Sequence, residues 1–245
     1  MQPKLNFYDF VGYLIPGTIF LLNIYWIFAG FFITDISFNL KSIGDSFLFL
    51  VLSYLFGHII QSYANKFEEK NIKENGSWES DHYLKPENEF YSKEFKNNLY
   101  SAIKDQFNID IEKEVNNKKR VQEVFNLCYT LIVQENLSSQ TDIFNGFYGL
   151  YRGLNIVKKV VLCSTLIITV KQLLYLMFNF NDVSFLSVQL SNYDPQLLVV
   201  GIMVSIFTYG VSSQLLSRCK RFSNRFSDSV YRNFYVWYFK EINKE

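Results

Sequence analysis

The sequence predicts an all-α integral membrane protein with four transmembrane helices, a helical cytoplasmic insertion between the second and the third, and a C-terminal amphipathic helix. Two observations lead to this fold class. Hydrophobic residues make up 49% and aromatic residues 18% of the 245 residues, and the excess is concentrated in four long runs instead of recurring at helix or strand period. Lys and Arg also avoid the connections on one side of these runs.

The four runs cover residues 7–33, 47–64, 156–180 and 197–217. They are close to, or longer than, the roughly 20 residues needed to cross the hydrocarbon of a bilayer. The first is too long for a signal-peptide core and no small-residue cleavage site follows it, so we expect a retained span. The predicted organisation is residues 1–64 with helices 1 and 2, residues 65–153 as a cytoplasmic helical domain, residues 154–217 with helices 3 and 4, and residues 218–245 as a cytoplasmic tail helix.

The distribution of positive charge orients these spans. The two inter-span hairpins, residues 34–46 and 181–196, are short, and of the 24 Lys and Arg residues only Lys41 falls in either of them. Cytoplasmic loops carry an excess of Lys and Arg, so both termini and the long middle segment are predicted to be cytoplasmic, in a bacterial inner membrane. The alternative, a soluble protein with buried core helices, gives no reason for cations to avoid both hairpins.

The cytoplasmic middle is predicted to be helical. Apolar residues recur at mostly four-residue spacing from Pro86 to Phe107, with the proline in a first-turn position. A second helical pattern starts at Ile111 and ends near Ser138. A third starts near Thr141 and is expected to run unbroken into the third span, which would couple the two parts mechanically. Charges of both signs lie between the apolar positions, which is typical of a solvated surface.

The tail combines positive charge with aromatic residues. At 100° per residue, four arginines fall on one side of a helix and an apolar face lies next to them. The arginines are Arg218, Arg221, Arg225 and Arg232, and the apolar residues are Phe222, Phe226, Val230, Phe234 and Trp237. One interpretation is a juxtamembrane helix lying on anionic lipid. The other is an arginine stripe that faces a pocket for a phosphate-bearing ligand in an oligomer, since guanidinium groups bind phosphate oxygens in pairs.

The first span contains a proline near its cytoplasmic start, in the motif DFVGYLIPG. Pro16 lacks a backbone donor and Gly17 lacks a side chain, so the helix is expected to kink or break there. A neighbouring helix must then satisfy the freed carbonyl. Asp9, Gly12, Pro16 and Gly17 are therefore candidate gating residues. The alternative is a packing kink or close helix crossing, with Asp9 capping the helix start.

The second span carries polar residues on one face of its cytoplasmic half. Tyr54, Gly57, His58 and Gln61 share this face. Contact between this polar face and lipid would be costly, so we expect the face either to join an interhelical hydrogen-bond network or to line a wet cavity. Gly57, His58 and Gln61 are accordingly candidate pore or gating residues.

The third span contains a lysine about two-thirds of the way along. A cation at this depth is costly, which makes Lys171 a candidate pore residue. Acidic partners near the outer surface are Asp35, Asp45 and Asp182. Alternatively Lys171 lines a pore in an oligomer, or the span tilts and the side chain extends outward to the interface.

Several function classes lack their signatures in this sequence. We find no phosphate-binding loop, dinucleotide fingerprint, nucleophile elbow or paired His and Cys spacing. The three cysteines, Cys128, Cys163 and Cys219, follow no metal or redox spacing, and their odd number argues against a disulfide framework. The sequence therefore predicts neither an enzyme nor a bound cofactor or metal.

Three segments resemble a known group of proteins. They are residues 9–17, residues 54–61 with the sequence YLFGHIIQ, and residues 147–153 with the sequence FYGLYRG. Together they resemble small bacterial multi-pass membrane proteins of anti-phage defence operons, first the membrane effector of the Hailong type and second the membrane component of Kiwa. The resemblance implies a homo-oligomeric channel, such as a tetramer, that disrupts the membrane potential. It also implies control by an oligonucleotide or cyclic nucleotide from a partner nucleotidyltransferase, and it adds Arg152 to the candidate ligand-binding residues.

Two hypotheses for the function follow. The preferred one is an oligomeric membrane channel or membrane-disrupting effector that is gated through its cytoplasmic domain. Intramembrane polar residues indicate a wet path, and the helix that leads into the third span could carry a cytoplasmic event to it. The second is a membrane anchor or sensor that recruits a soluble cytoplasmic partner, which the mixed charge and the aromatic residues of the middle segment favour.

Overall fold

Helices account for nearly all of the residues that the structure describes. The computed structural model describes residues 7–31, 42–75, 82–178, 184–185, 188–189 and 194–243. In these ranges a π-helical segment, Asp9–Leu14, is followed by α1 (Ile15–Phe31), α2 (Ile43–Asn75), α3 (Lys93–Phe107), α4 (Ile111–Glu114), α5 (Lys118–Gln134), α6 (Ser139–Phe178) and α7 (Pro195–Ile242). The third helix predicted for the insertion is therefore continuous with the third apolar run, because both belong to α6.

A short hairpin is the exception to the predicted all-α class. Strands β1 (Ser184–Phe185) and β2 (Val188–Gln189) pair in antiparallel fashion within the segment between α6 and α7. Ser184 lies opposite Gln189, and Phe185 lies opposite Val188. These residues lie in the predicted inter-span connection 181–196, for which the sequence predicts no strand.

Four helical stretches are long and apolar enough to cross a membrane. They are Asp9–Phe28, Ile43–Glu69, Ser139–Met177 and Pro195–Ile242. These stretches contain the cores of the four predicted runs, which confirms the four long apolar helices of the predicted fold class. The apolar stretches in α2, α6 and α7 belong to helices that continue into charged sequence at one end.

The chain divides into two compact units. One, which we call the span unit, consists of Met1–Asn65 and Gly149–Cys219, and the other, the insertion unit, consists of Lys66–Tyr148 and Lys220–Glu245. Helices α2, α6 and α7 each contribute residues to both units. The tail, which the sequence analysis set apart as a segment of its own, therefore belongs to the same unit as residues 66–148.

The first helix of the insertion unit starts later than the predicted Pro86. Ser92 is its N-cap, and the Ser92 hydroxyl accepts a hydrogen bond from the Phe95 N–H at 3.1 Å. The buried Lys96 ammonium turns back and donates to the carbonyls of Lys85 (2.9 Å) and Pro86 (3.0 Å). Because Lys96 holds these carbonyls, Pro86 lies in a turn before α3.

Asparagines divide the second predicted helix and end two helices. The single helix predicted from Ile111 is wrong: α4 ends at Glu114, and Asn117 is the N-cap of α5. Asn108 after α3 and Asn136 after α5 have positive φ values of 55° and 57°, the left-handed conformation that asparagine tolerates. Beyond α5 the Leu137 N–H donates to the Ile132 carbonyl at 2.8 Å, which closes a Schellman motif.

The apolar face of the tail forms part of the insertion-unit core. Val230, Tyr231 and Phe234 are fully buried among apolar residues of α3 and α5, including Leu99 and Val124. The interpretation that this face lies in lipid headgroups is therefore wrong. Apolar burial against protein accounts for the aromatic residues of the tail, and it leaves the arginines on the outside of the helix.

Polar contacts add to this packing. The Tyr91 hydroxyl donates to the Asp228 carboxylate at 2.7 Å, and the Tyr83 hydroxyl donates to the Asn224 carbonyl at 3.0 Å. Burial, and then the neighbouring Asp228 carboxylate, raise the pKa of Tyr91, so this phenol stays protonated and remains a donor. The tail is thus attached to the insertion unit by directional bonds as well as by apolar contact.

We expect Phe234→Ala to destabilise the insertion unit by about 3–5 kcal/mol, because it leaves a cavity at a fully buried position. Phe239→Ala is the matched control, since Phe239 is 45% exposed on the same helix. Hydrogen exchange of the amides of residues 220–242 in detergent measures the difference. Equal protection in both variants would contradict the placement of Phe234 in the core.

Candidate functional site

The two N-terminal apolar helices approach each other backbone to backbone. A Cβ on Gly17 would overlap the Ser53 carbonyl oxygen, and a Cβ on Gly57 would overlap the Tyr13 carbonyl oxygen. Gly57 N would also lie 2.8 Å from the Cβ on Gly17. Small residues permit such an approach between apolar helices. The predicted close crossing is therefore present, and it explains why glycine stands at both positions.

The helix does not break at Pro16, since residues 7–31 are helical throughout; its irregular part is the π-helical segment, which ends at Leu14, two residues before the proline. Because proline has no N–H, the Gly12 carbonyl, four residues earlier, cannot receive its α-helical hydrogen bond. The side chain of Gln61 on α2 replaces the missing donor, with Gln61 Nε2 donating to Gly12 O at 2.7 Å. A neighbouring helix therefore satisfies the freed Gly12 carbonyl, as expected, and this bond explains why Gln61 is buried.

Gln61 also binds the third apolar helix. Its Nε2 donates to the Gly149 carbonyl of α6 at 2.6 Å. Its Oε1 accepts from Arg152 Nε at 3.1 Å and from Arg152 Nη2 at 3.0 Å. Arg152 Nη2 donates to the Tyr8 hydroxyl at 3.1 Å as well. We call Tyr8, Gly12, Gln61, Gly149 and Arg152 the Gln61 cluster; it joins the N-terminal helix, α2 and α6.

Two glycines of α6 lie tightly against side chains of this cluster. A Cβ on Gly149 would stand 2.7 Å from a ring carbon of Tyr8, and a Cβ on Gly153 would stand 2.8 Å from Gln61 Nε2 and 2.9 Å from a ring carbon of Pro16. All three segments on which the family resemblance rests therefore meet at one place. The sequence alone did not predict that they would touch.

Aromatic stacking extends the contact on the other side of the crossing. The His58 ring stacks on the Tyr13 ring with centroids 3.9 Å apart, and Tyr54 meets His58 edge to face at 4.6 Å. Of the predicted polar face of α2, Gly57 and Gln61 are buried and His58 is exposed. The face packs against the N-terminal helix, as one of the two alternatives expected. Asp9 is the first residue of the π-helical segment and is partly exposed.

A second polar feature lies farther along α6. Five buried polar residues occur in its apolar run, and we call them the polar row: Ser164, Thr165, Thr169, Lys171 and Gln172. At 1.5 Å per residue they extend over about 12 Å of helix. The row turns towards its neighbours in the span unit, because large apolar residues, among them Leu166, Ile167 and Val170, occupy the exposed face.

The polar row contacts α1 and α7. Ser164 Oγ donates to Asn23 Oδ1 at 2.9 Å, and Ser205 Oγ donates to Thr165 Oγ1 at 3.0 Å. The Asp194 N–H donates to Gln172 Oε1 at 3.0 Å. Within the described part of the chain, Thr169 Oγ1 and Gln172 Nε2 are buried without a hydrogen-bond partner. Such atoms are expensive in an apolar interior unless water or a ligand reaches them.

Lys171 is buried within the row. Its side chain is 7% exposed in the span unit. Its ammonium lies 5.5 Å from the centroid of the Tyr175 ring, a cation–π contact. Two of the predicted acidic partners, Asp35 and Asp182, lie outside the described residues, and Asp45 lies in the first turn of α2.

The candidate ligand-binding arginines do not form one set. Arg152 and Arg218 belong to the span unit, whereas the other three tail arginines belong to the insertion unit. Arg232 pairs with Asp228 at 2.6 Å, and its guanidinium lies 5.3 Å from the centroid of the Tyr91 ring. The Arg225 guanidinium lies 5.8 Å from the centroid of the Phe144 ring. Much of the predicted stripe thus has structural contacts, although all four tail arginines are exposed.

Part of the site is predictable from the sequence. Gln61, Gly57 and Arg152 are each predicted site residues, whereas their partners Tyr8 and Gly149 are not. Lys171 is likewise predicted, but the other members of the polar row are not. Their signal was present: Thr165, Thr169 and Gln172 follow one another after four and three positions, and Ser164 and Lys171 are seven positions apart, which are the intervals of one helix side.

Fold and site together define a helical protein with four helices long and apolar enough to cross a membrane, and with polar clusters among them. Comparison with protein-family models, with curated proteins and with solved structures finds no match to this chain. Among the described residues, no group of three His, Cys, Asp or Glu side chains could hold a metal ion.

We expect Gly57→Ala to lower the stability of the span unit by about 1–3 kcal/mol, since the added methyl group must displace the backbone of Tyr13. Gly210→Ala is the control, because a Cβ there meets nothing within 4 Å. Thermal unfolding in detergent, followed by circular dichroism, compares the two. A Gly57→Ala protein as stable as Gly210→Ala would contradict the close crossing.

Gln61→Leu should destabilise the span unit by about 1–3 kcal/mol, because it leaves the Gly12 carbonyl and Arg152 without their partner. Pro16→Ala restores the missing backbone N–H, so the same Gln61→Leu change should cost less in that background. A double-mutant cycle in detergent measures this coupling. Additive effects of the two changes would show that Gln61 does not compensate for the proline.

Proposed function

We propose that this chain is a multi-pass protein of the bacterial inner membrane, with both termini in the cytoplasm, and that it acts as an oligomeric channel or membrane-disrupting effector. The observation that carries the proposal is the polarity of the span unit. Its exposed surface is apolar and its interior contains polar side chains. A protein folded in water shows the opposite arrangement.

The exposed face of the span unit supports a lipid environment. Large apolar residues of the four candidate spans are strongly exposed, such as Phe47 at 68%, Ile206 at 67% and Phe207 at 70%. Apolar faces of this extent on several helices mark contact with lipid or with another apolar surface. Helices suit a bilayer because each one satisfies its backbone hydrogen bonds internally. Where Pro16 lacks an N–H for the Gly12 carbonyl, the Gln61 side chain donates the hydrogen bond in its place.

The interior of the span unit supports a conducting role over a purely structural one. Two polar atoms of the row, Thr169 Oγ1 and Gln172 Nε2, are buried and have no hydrogen-bond partner among the described residues. Lys171 is buried beside them. An ionisable group inside an apolar span often marks a substrate or ion pathway. Water or ions along α6 would satisfy both atoms.

Control through the insertion unit is the second part of the proposal. Helices α2, α6 and α7 contain residues of both units without a break in the helix. A displacement of the insertion unit would therefore act directly on three of the four candidate spans. The Gln61 cluster joins two of these helices to the N-terminal one, and it would resist or transmit such a movement. A nucleotide-type signal and a role in anti-phage defence enter the proposal through the family resemblance.

The proposal predicts that the chain resists carbonate extraction from membranes and depolarises cells that express it with its neighbouring genes, as seen with a potential-sensitive dye.

The double variant Thr169→Val with Gln172→Leu should insert normally and depolarise cells at least about tenfold less, because it removes the two hydrogen-bonding atoms of the polar row that have no partner among the described residues. Tyr209→Phe is the control, since Tyr209 is 78% exposed. Full activity of the double variant, or no depolarisation by the native chain, refutes the conducting role.

A membrane anchor that recruits a soluble partner is the second candidate function. The last turns of α7 favour it, since they carry exposed apolar residues of the insertion unit: Val236, Phe239 and Ile242. Under this alternative the polar-row variant behaves as the native chain does in cells. Extraction in detergent then returns a soluble protein in stoichiometric amount, whereas a channel is recovered with copies of itself.

A further inference from the structure

One side of α7 changes from apolar to basic along its length. At 100° per residue, the residues between 200 and 225 that share this side lie within about 60° of one another, and all of them are exposed. We call them the α7 strip: Val200, Met203, Phe207, Gln214, Arg218, Arg221 and Arg225. We propose that the α7 strip binds an anionic phospholipid of the cytoplasmic leaflet. This inference rests on the proposed membrane location and orientation, and adds a lipid partner to them.

The order of residues along the α7 strip matches the layers of one bilayer leaflet. The helix is continuous through the strip, and its apolar run ends at Ser217. Headgroups occupy about 5–7 Å on each side of a hydrocarbon core about 30 Å thick. At about 1.5 Å per residue, Arg218 and Arg221 lie about 2 and 6 Å beyond Ser217, in the headgroup layer, and Phe207 lies about 15 Å before it, in the hydrocarbon. A phospholipid beside α7 would therefore place its acyl chains on Phe207 and its phosphate at the two arginines.

No carboxylate of α7 balances these two arginines. Residues 195–227 contain no Asp or Glu, and the first acidic residue of the helix, Asp228, accepts a hydrogen bond from Arg232 at 2.6 Å. In the described part of the chain, neither Arg218 nor Arg221 forms an ion pair. Like charges three or four positions apart on a helix repel each other. A phosphate group between the two side chains would offset this repulsion, because its oxygens bind guanidinium N–H groups in pairs.

The apolar part of the strip favours a lipid over a water-soluble phosphate. Met203 is 65% exposed and Phe207 is 70% exposed, on the same side of α7 as the arginines. A soluble anion would contact the arginines alone and leave this apolar surface uncovered. A phospholipid covers both parts, since its phosphate and its acyl chains belong to one molecule. Charge and apolar exposure on one helix side therefore point to the same occupant.

The test is the lipid preference of the purified full-length chain, measured by native mass spectrometry from detergent micelles with equal amounts of phosphatidylglycerol and phosphatidylcholine. Because each cation close to the headgroups favours an anionic lipid by about fivefold, we expect bound phosphatidylglycerol to exceed phosphatidylcholine by about tenfold or more. Arg218→Gln with Arg221→Gln should lower this ratio by about tenfold or more, and Arg221→Gln alone by about fivefold. Lys118→Gln with Lys119→Gln is the matched control, since it removes the same charge at exposed positions of α5 and should leave the ratio unchanged.

Inorganic phosphate distinguishes a lipid headgroup from a soluble anion. Added to the same micelles, it should displace little phosphatidylglycerol from the native chain, because it has no acyl chain to contact Phe207. Equal binding of the two lipids, a ratio that the arginine variants lower no more than the lysine control does, or ready displacement by inorganic phosphate overturns the lipid inference alone. A chain that carbonate extraction removes from membranes overturns the proposed membrane location, and the lipid inference with it.

Discussion

The hydrogen bond from Gln61 to the Gly12 carbonyl is the interaction on which the span unit depends. An apolar helix cannot leave a carbonyl without a donor when no water is present, and Pro16 removes the donor that Gly12 would otherwise receive. Gln61 supplies a replacement from the neighbouring helix at 2.7 Å. The remaining atoms of its amide bind α6, through the Gly149 carbonyl and through Arg152. One side chain therefore sets the contact of three helices.

That interaction explains the small residues around it. The Gln61 amide reaches two backbone carbonyls only if the helices lie very close, and such closeness leaves no room for a Cβ at Gly17 or Gly57, where it would overlap backbone atoms. The π-helical segment belongs to the same arrangement, because a segment wound more loosely than an α-helix precedes the proline. Segments of this kind occur often at functional sites, which agrees with a role for the Gln61 cluster in the proposed gating.

The two units follow opposite packing rules. The insertion unit buries aliphatic and aromatic side chains, such as Leu99 and Phe234, and exposes charged ones, as expected of a domain in water. The span unit exposes its apolar residues and buries Gln61, Lys171 and Gln172. Different surroundings for the two units would account for this contrast. The contrast supports the proposed membrane location independently of hydropathy and of the distribution of positive charge.

Composition and periodicity by themselves determined the helical class, the four long apolar helices and an irregular helix near Pro16, because these depend on local backbone chemistry and on runs of like residues. They determined the tail helix as well, since its period is regular. Only the tertiary structure decided that the aromatic face of the tail packs on the insertion unit, because an amphipathic helix buries its apolar face equally well in lipid or in protein. It also decided which groups meet Gln61, since hydrogen bonds between residues 49 or 88 positions apart leave no periodic trace in the sequence.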